Sequence, residues 1–204
     1  MENIDAILYI NLDHRTDRDE HIRSEIQHID PTFSKTHRIS GVHTPDHGAL
    51  GCSSSHCNAL TMMMGHREWK TCMILEDDFT FSSPLEAMNQ LTIIFKESPA
   101  FDVFLLSYNA VDMYPSPFSI HRVRSSQTTS GYIIRQHYLP TLLRNFTISR
   151  DYLNQRGKFD KMCLDQYWKR LMPIGRWYTS STPIGYQYMN YSDIEQKMVE
   201  YNHI

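Results

Sequence analysis

Two apolar runs, Ala6-Ile7-Leu8-Tyr9-Ile10 and Thr71-Cys72-Met73-Ile74-Leu75, each stop abruptly in polar sequence. The first gives way to Asn11-Leu12-Asp13-His14-Arg15, the second to Glu76-Asp77-Asp78. Short runs without polar alternation, rich in β-branched and aromatic members, predict strands buried on both faces. Such strands need helices on either side, and amphipathic stripes are present. After Thr16, which can cap a helix, Ile22, Ile26 and Ile29 recur at helical spacing, with Asp17, Asp19 and Glu20 in the first turn. Ser53-Ser54-Ser55 can start a second helix carrying Cys57, Leu60, Met63 and Met64. Ser83-Pro84 opens a third, with Leu85, Met88, Leu91 and Phe95 as its face. Phe101 to Leu106 and Gly131-Tyr132-Ile133-Ile134 read as further strands, and Leu139, Leu142, Leu143 and Phe146 suit a helix. Leu164, Tyr167, Trp168 and Leu171 form the clearest helical stripe. Residues 38–52 and 109–128 read as loops, and the stretch after Pro173 as aromatic and irregular. The alternation predicts a layered α/β domain.

At 204 residues with 41% hydrophobic side chains, the chain suits one domain with a substantial core. A net charge of -3 offers no basic field for nucleic acid. No apolar run approaches the roughly 20 residues of a membrane-spanning helix. Met1-Glu2-Asn3-Ile4-Asp5 lacks a basic region leading into an apolar stretch, which predicts no signal peptide and a cytoplasmic setting. Cys52, Cys57, Cys72 and Cys163 are then expected as free thiols, and Asn145-Phe146-Thr147 and Asn190-Tyr191-Ser192 as chance matches to glycosylation acceptors.

In layered α/β sheets ligands bind beyond the carboxyl ends of the strands. That rule places residues 11–18 and 76–78 on one edge. Three adjacent carboxylates, Glu76-Asp77-Asp78, repel one another unless a cation or solvent relieves them. Hard divalent cations such as Mg²⁺ and Mn²⁺ favour carboxylate oxygens and share phosphate oxygens. Strand alternation puts Glu76 and Asp78 on one face and Asp77 on the other. Glu76 and Asp78 are therefore the metal and ribose candidates, and Asp77 a secondary ligand or loop organiser. The triplet also reads as an acidic strand end open to water. Arg15 and Arg18 can grip a diphosphate in two-pronged fashion, or belong to a solvated helical charge lattice with Asp19 and Glu20. His43, His47, Cys52, His56 and Cys57 include zinc-ligating types but no CxxC pair. His56, near a helix start, can point a donor at a ligand or be an ordinary polar histidine. Asp165 borders an apolar stripe, where burial can raise a carboxyl pKa and make it a base, or leave it an ordinary boundary aspartate. His121, Arg122 and Arg124 form a small basic patch.

Read in order, these segments resemble glycosyltransferase family 25, which includes lipopolysaccharide-biosynthesis and procollagen galactosyltransferases. Tyr9-Ile10-Asn11-Leu12-Asp13-His14-Arg15-Thr16-Asp17-Arg18 resembles the family's opening strand and arginine loop. Gly48-Ala49-Leu50-Gly51-Cys52-Ser53-Ser54-Ser55-His56 resembles its Gly-Cys and Ser-His segment, and Ile74-Leu75-Glu76-Asp77-Asp78 its acidic motif. Phe101-Asp102-Val103 with Leu105-Leu106, Thr129-Ser130-Gly131-Tyr132-Ile133-Ile134, Leu164-Asp165 and Ser192-Asp193-Ile194 resemble its later segments. His14 departs from the second basic residue of many relatives, and residues 109–128 are peculiar to this chain.

The resemblance implies a glycosyltransferase A-type fold: one domain with a Rossmann-like mixed sheet flanked by helices, a nucleotide-sugar half over residues 1–108 and an acceptor half over 109–204. It implies an inverting reaction that moves a hexose, galactose or glucose, from a UDP-sugar to a hydroxyl of a glycan or hydroxylysine-type protein. Mn²⁺ or Mg²⁺ would be held by Asp78 with Glu76. Asn11, Arg15, Arg18, Ser55, His56, Glu76 and Asp77 would contact the donor, and Asp165 would be the base. Acceptor choice would rest on residues 109–128 and on Trp177, Tyr178, Tyr186, Tyr188 and Tyr191. The chain is short for this fold, which leaves room for a second subunit to complete the acceptor side. The competing readings are a metal-dependent nucleotidyltransferase, disfavoured by the lack of a GxxxxGK[ST] phosphate loop, and a catalytically inactive sugar- or nucleotide-binding relative.

Overall fold

A computed structural model describes residues 3–97, 100–116, 119–188, 190–192 and 197–199. Strand β1 (Ala6–Asn11) leads through α1 (Thr16–Gln27) to β2 (Thr36–Ser40), then through α2 (Gly48–Gly65) to β3 (Thr71–Glu76). Both neighbours pair parallel to β1. After a short β4 (Phe79–Phe81) and α3 (Pro84–Glu97) come β5 (Val103–Leu105), β6 (Asn109–Met113), β7 (Ile120–Gln127) and β8 (Gly131–Arg135). Helix α4 (Leu139–Arg156), a single turn α5 (Leu164–Tyr167), β9 (Trp177–Ser180) and β10 (Gly185–Gln187) follow. The backbone then continues through β11 (Asn190–Ser192), paired antiparallel with β12 (Lys197–Val199).

The central sheet runs β2-β1-β3-β8-β5-β9-β7-β6. It is mixed, because β8 lies antiparallel between β3 and β5. Alternation along each buried strand feeds two separate cores. From β1, Ala6, Leu8 and Ile10 face the layer of α2 and α4, while Ile7 and Tyr9 face the layer of α1 and α3. From β3, Cys72 and Ile74 divide from Met73 and Leu75 in the same way. The fold is thus a mixed α/β single domain, a sheet between helical layers, as the apolar runs predict.

Several local expectations change. Helix α2 begins at Gly48 rather than at the serines. The His47 ring nitrogen accepts from Leu50 N at its start, and Gly51 packs where a Cβ would sit 2.4 Å from the Val42 carbonyl oxygen. Thr16 is the first residue of α1 and not its cap. On α3 the buried residues are Ala87, Leu91 and Ile94, and Leu85 is 78% exposed. Residues 109–128 are not a loop: β6 and β7 form an antiparallel pair that extends the sheet edge. Large apolar residues are few here, with Ile120 and Val123 alone on β7 and Val111 and Met113 on β6, so no strand-like apolar run or alternation announces the pair. There Arg122 and Arg124 stack over Tyr114. The strong stripe from Leu164 yields one α-helical turn and then a 3-10 turn over Trp168–Leu171. Among the described residues the aromatic tail is not irregular either. Trp177 sits on β9 between β5 and β7, fully buried. Trp177 therefore fills the core and presents no face to an acceptor. Asn145 is buried, with its amide toward the Tyr167 carbonyl, and is closed to glycosylation. All four cysteines are free. Among the described residues no helix is long and apolar enough to cross a membrane. Asp193 and Ile194 lie outside the described residues, and only the backbone of Tyr191 is described.

Candidate functional site

The parallel pairing of β1 with β3 sets Ile10 opposite Glu76. Residues just beyond the two strand ends therefore meet at one sheet edge, beside the start of β8, where Glu76 N donates to the Ser130 carbonyl. A cleft of about 110 Å³ opens there. Its walls include Asn11 and Arg18 from the first unit, the 41–44 segment, Cys52, Ser55 and His56 from α2, Glu76, Asp77 and Asp78, and Gln187 from β10.

The strand ends at Glu76 and a turn takes over, so the expected alternation of the carboxylates does not hold. All three line the same cleft. Arg18 bridges two of them: Nη1 donates to Asp77 Oδ1 at 2.8 Å and Nη2 to Asp78 Oδ2 at 3.0 Å. This is a buried arrangement, with the three side chains 10%, 7% and 11% exposed. Asn11 Nδ2 donates to the second oxygen of Asp77 at 2.9 Å and to the Arg15 carbonyl at 2.9 Å. Its Oδ1 accepts from Arg38 at 2.7 Å. Gln187 Nε2 donates to Asp78 at 3.3 Å, and the Tyr188 amide caps the Asp78 carbonyl at 3.1 Å.

Glu76 has separate company. Its Oε1 accepts from Thr129 Oγ1 at 2.6 Å and from His56 Nε2 at 2.9 Å, while His56 Nδ1 faces the Tyr132 hydroxyl at 3.1 Å. A carboxylate at Glu76 accepts, so Nε2 carries a proton; when the ring is neutral, Nδ1 accepts from the tyrosine. Burial pushes the Glu76 carboxyl up, but His56 and Thr129 outweigh it and hold the group below its ordinary value. Asp77 goes the other way: burial lifts it to about 7 against the pull of Arg18. Asp78 is also raised, first by burial.

The other expected residues are placed as follows. Arg15 pairs with Asp17 at 2.8 Å in the first turn of α1 and is not among the residues lining the cleft. The Ser55 hydroxyl lines the cleft but is engaged with the chain, donating to the Gly51 carbonyl at 2.7 Å and accepting from Val42 N at 2.8 Å. Asp165 lies in the first turn of α5, its Oδ2 3.4 Å from the Thr128 amide, and burial raises its pKa. It too is not among the lining residues, although its charge is felt at Cys52. Thr128 adopts a φ of 68°, a left-handed conformation that strains a β-branched residue, and its hydroxyl donates to Gln187 Oε1 at 2.6 Å. Sequence reading missed Arg38, Thr129, Tyr132 and Gln187. The β1–β2 register and the β4–β10 pairing bring the first and last to the site, and no local pattern announces either.

Three carboxylates and one guanidinium line the cleft. The oxygen donors and the surplus of negative charge fit a hard divalent cation and an anionic ligand that shares it.

No family model and no curated protein matches the sequence. Solved structures do share the fold. A197 from STIV is 14% identical, covering 98% of this chain and 95% of that one with a TM-score of 0.53. A glycosyltransferase involved in the glycosylation of the major capsid of PBCV-1 is 9% identical, covering 85% and 79% with a TM-score of 0.55. UDP-glucose pyrophosphorylase complexed with UDP-glucose is 6% identical, covering 86% and 72% with a TM-score of 0.52. The chain therefore has a Rossmann-like fold seen in both a glycosyltransferase and a sugar nucleotidyltransferase.

Proposed function

We propose that the chain is a metal-dependent transferase acting on a nucleotide sugar, and that the cleft at the ends of β1 and β3 is its donor site. The carrying observation is the cluster of three carboxylates lining an open cleft, two of them, Asp77 and Asp78, buried and bridged by the Arg18 guanidinium in its wall. The ordered resemblance to glycosyltransferase family 25 favours glycosyl transfer: a hexose, galactose or glucose, moved from a UDP-sugar to a hydroxyl acceptor with inversion. Asp78 and Glu76 would hold Mn²⁺ or Mg²⁺, which supplies positive charge beside the departing diphosphate.

The chain's own residues would divide the remaining work. Arg18 and Asn11 position Asp77 and Asp78 rather than meeting the donor with unengaged groups. Ser55 and His56 border the donor. Asp165, its pKa raised by burial, takes the proton of the acceptor hydroxyl. The freed oxygen attacks the anomeric carbon while the bond to the diphosphate breaks, and its electron pair leaves with the nucleotide.

Incubation with Mn²⁺ and a panel of nucleotide sugars tests this. Release of nucleoside diphosphate from one donor supports glycosyl transfer. The fold shared with UDP-glucose pyrophosphorylase keeps a second reading in view, which pyrophosphate release from a nucleoside triphosphate and a sugar phosphate would establish. Donor binding without turnover would indicate an inactive relative. Asp78→Ala should abolish Mn²⁺-dependent nucleotide binding with the fold intact by circular dichroism, and unchanged affinity would overturn the metal assignment. Asp165→Asn should keep donor affinity and lower turnover by about two to four powers of ten. Near-normal turnover would remove Asp165 as the base.

A further inference from the structure

Cys52 and His56 stand four residues apart on α2, so both side chains lie on one face of the helix. That face looks across the cleft at the end of β3. The Cys52 Sγ, a His56 ring nitrogen and a Glu76 carboxylate oxygen all lie within 4.8 Å of one another, and all three residues line the cleft. A tetrahedral zinc with bonds of about 2.0–2.3 Å spaces its ligand atoms about 3.3–3.7 Å apart. The trio lies close to that spacing: the 2.9 Å contact of His56 with Glu76 opens by a few tenths of an ångström, and Cys52, within 4.8 Å of both, closes by at most about an ångström. The surrounding groups are those that orient metal ligands: the Tyr132 hydroxyl sits on the other ring nitrogen of His56, and the Thr129 hydroxyl on Glu76.

We propose that Cys52, His56 and Glu76 form a site for a borderline-soft divalent cation, Zn²⁺ or Co²⁺, whose fourth position opens to the cleft. A thiolate and an imidazole select such ions over the Mg²⁺ and Mn²⁺ that an all-oxygen set would take. On binding, the Cys52 thiol releases one proton to solvent. The neutral His56 ring shifts its proton from Nε2 to Nδ1, the Tyr132 O–H rotates away and its oxygen accepts from Nδ1, and the Nε2 lone pair meets the metal. Glu76 exchanges the histidine hydrogen bond for the metal and keeps that of Thr129. This inference does not rest on the glycosyltransferase reading, but the two share Glu76, so the ions compete.

Titration of the metal-free protein with Co²⁺ tests it. One equivalent should produce a thiolate-to-cobalt charge-transfer band with tetrahedral d–d bands, releasing about one proton in weakly buffered solution. The band should persist in Cys163→Ser and vanish in Cys52→Ser, with His56→Gln weakening binding at least tenfold. Circular dichroism and thermal melts confirm that each variant folds. Absence of the band in wild type, or its survival in Cys52→Ser, overturns the site. Mn²⁺-dependent UDP binding by the wild-type protein, measured separately, reports on the donor reading alone. Zn²⁺ should weaken that binding in wild type, and no competition would contradict the shared use of Glu76.

Discussion

Replacing Arg18 with Met keeps the aliphatic stem and deletes the guanidinium that bridges Asp77 and Asp78. Both contacts are short, and all three side chains are about nine-tenths buried. Breaking a buried ion pair by removing one partner costs about 3–5 kcal/mol, because the other partner's charge is left without compensation. For a domain of this size each kcal/mol lowers Tm by about 2–4 °C, so Arg18→Met should lower Tm by about 6–20 °C at pH 8. Arg150→Met is the control. Its partner Asp151 is its chain neighbour, the two side chains are 36% and 51% exposed, and such a pair contributes at most about 1 kcal/mol. The pH dependence has a definite sign. Burial already lifts Asp77 to about 7 with Arg18 present, and Asp78 is raised too. Removing the guanidinium raises both further. A protonated carboxyl needs no cation, so the loss should shrink as pH falls from 8 to 5. Differential scanning fluorimetry of wild type and both variants across that range measures it. A Tm loss no greater than that of Arg150→Met, or one equal at pH 5 and pH 8, would refute the account of Arg18 as the compensating charge.

Other perturbations address the scaffold. Asp102 accepts from the Arg176 amide and side chain and from His137, and although burial opposes them these bonds hold its pKa below the ordinary value. Its stabilisation is thus full above pH of about 4 and fades as pH falls through the lower folded value. Asp102→Asn should cost about 1–3 kcal/mol at pH 7 by urea unfolding and much less near pH 2. Gly51→Ala places a methyl 2.4 Å from the Val42 carbonyl oxygen and 2.6 Å from Thr44 Oγ1. It should cost about 1–3 kcal/mol and displace the 41–44 wall, which nucleotide affinity would register. Trp177→Ala should cost about 3–5 kcal/mol in chemical denaturation, as expected of a core residue.

Much of the scaffold is legible along the chain. Apolar runs such as Ala6–Ile10 carry the period that buries both strand faces, and their abrupt ends mark where the cleft edge lies. The Ile22 and Ile26 stripe gives α1 its buried face. Where signals are weaker the reading fails for physical reasons. β6, the edge strand, is short and of mixed polarity, β7 carries only Ile120 and Val123 as large apolar residues, and β9 looks irregular although its Trp177 fills the core. The stripe from Leu164 to Leu171 holds its burial pattern, yet only its first turn is α-helical.

The chain by itself settled that there would be a layered α/β domain and that acidic and basic residues would gather beyond its strand ends, since periodicity is a local property that survives without knowledge of neighbours. Tertiary structure alone decided the pairings: Arg18 with carboxylates 59 and 60 residues away, Asn11 with Asp77, and His56 with Glu76. Those contacts arise from strand register and from a turn that breaks alternation after Glu76. Their energies depend on burial, which no stretch of sequence sets on its own.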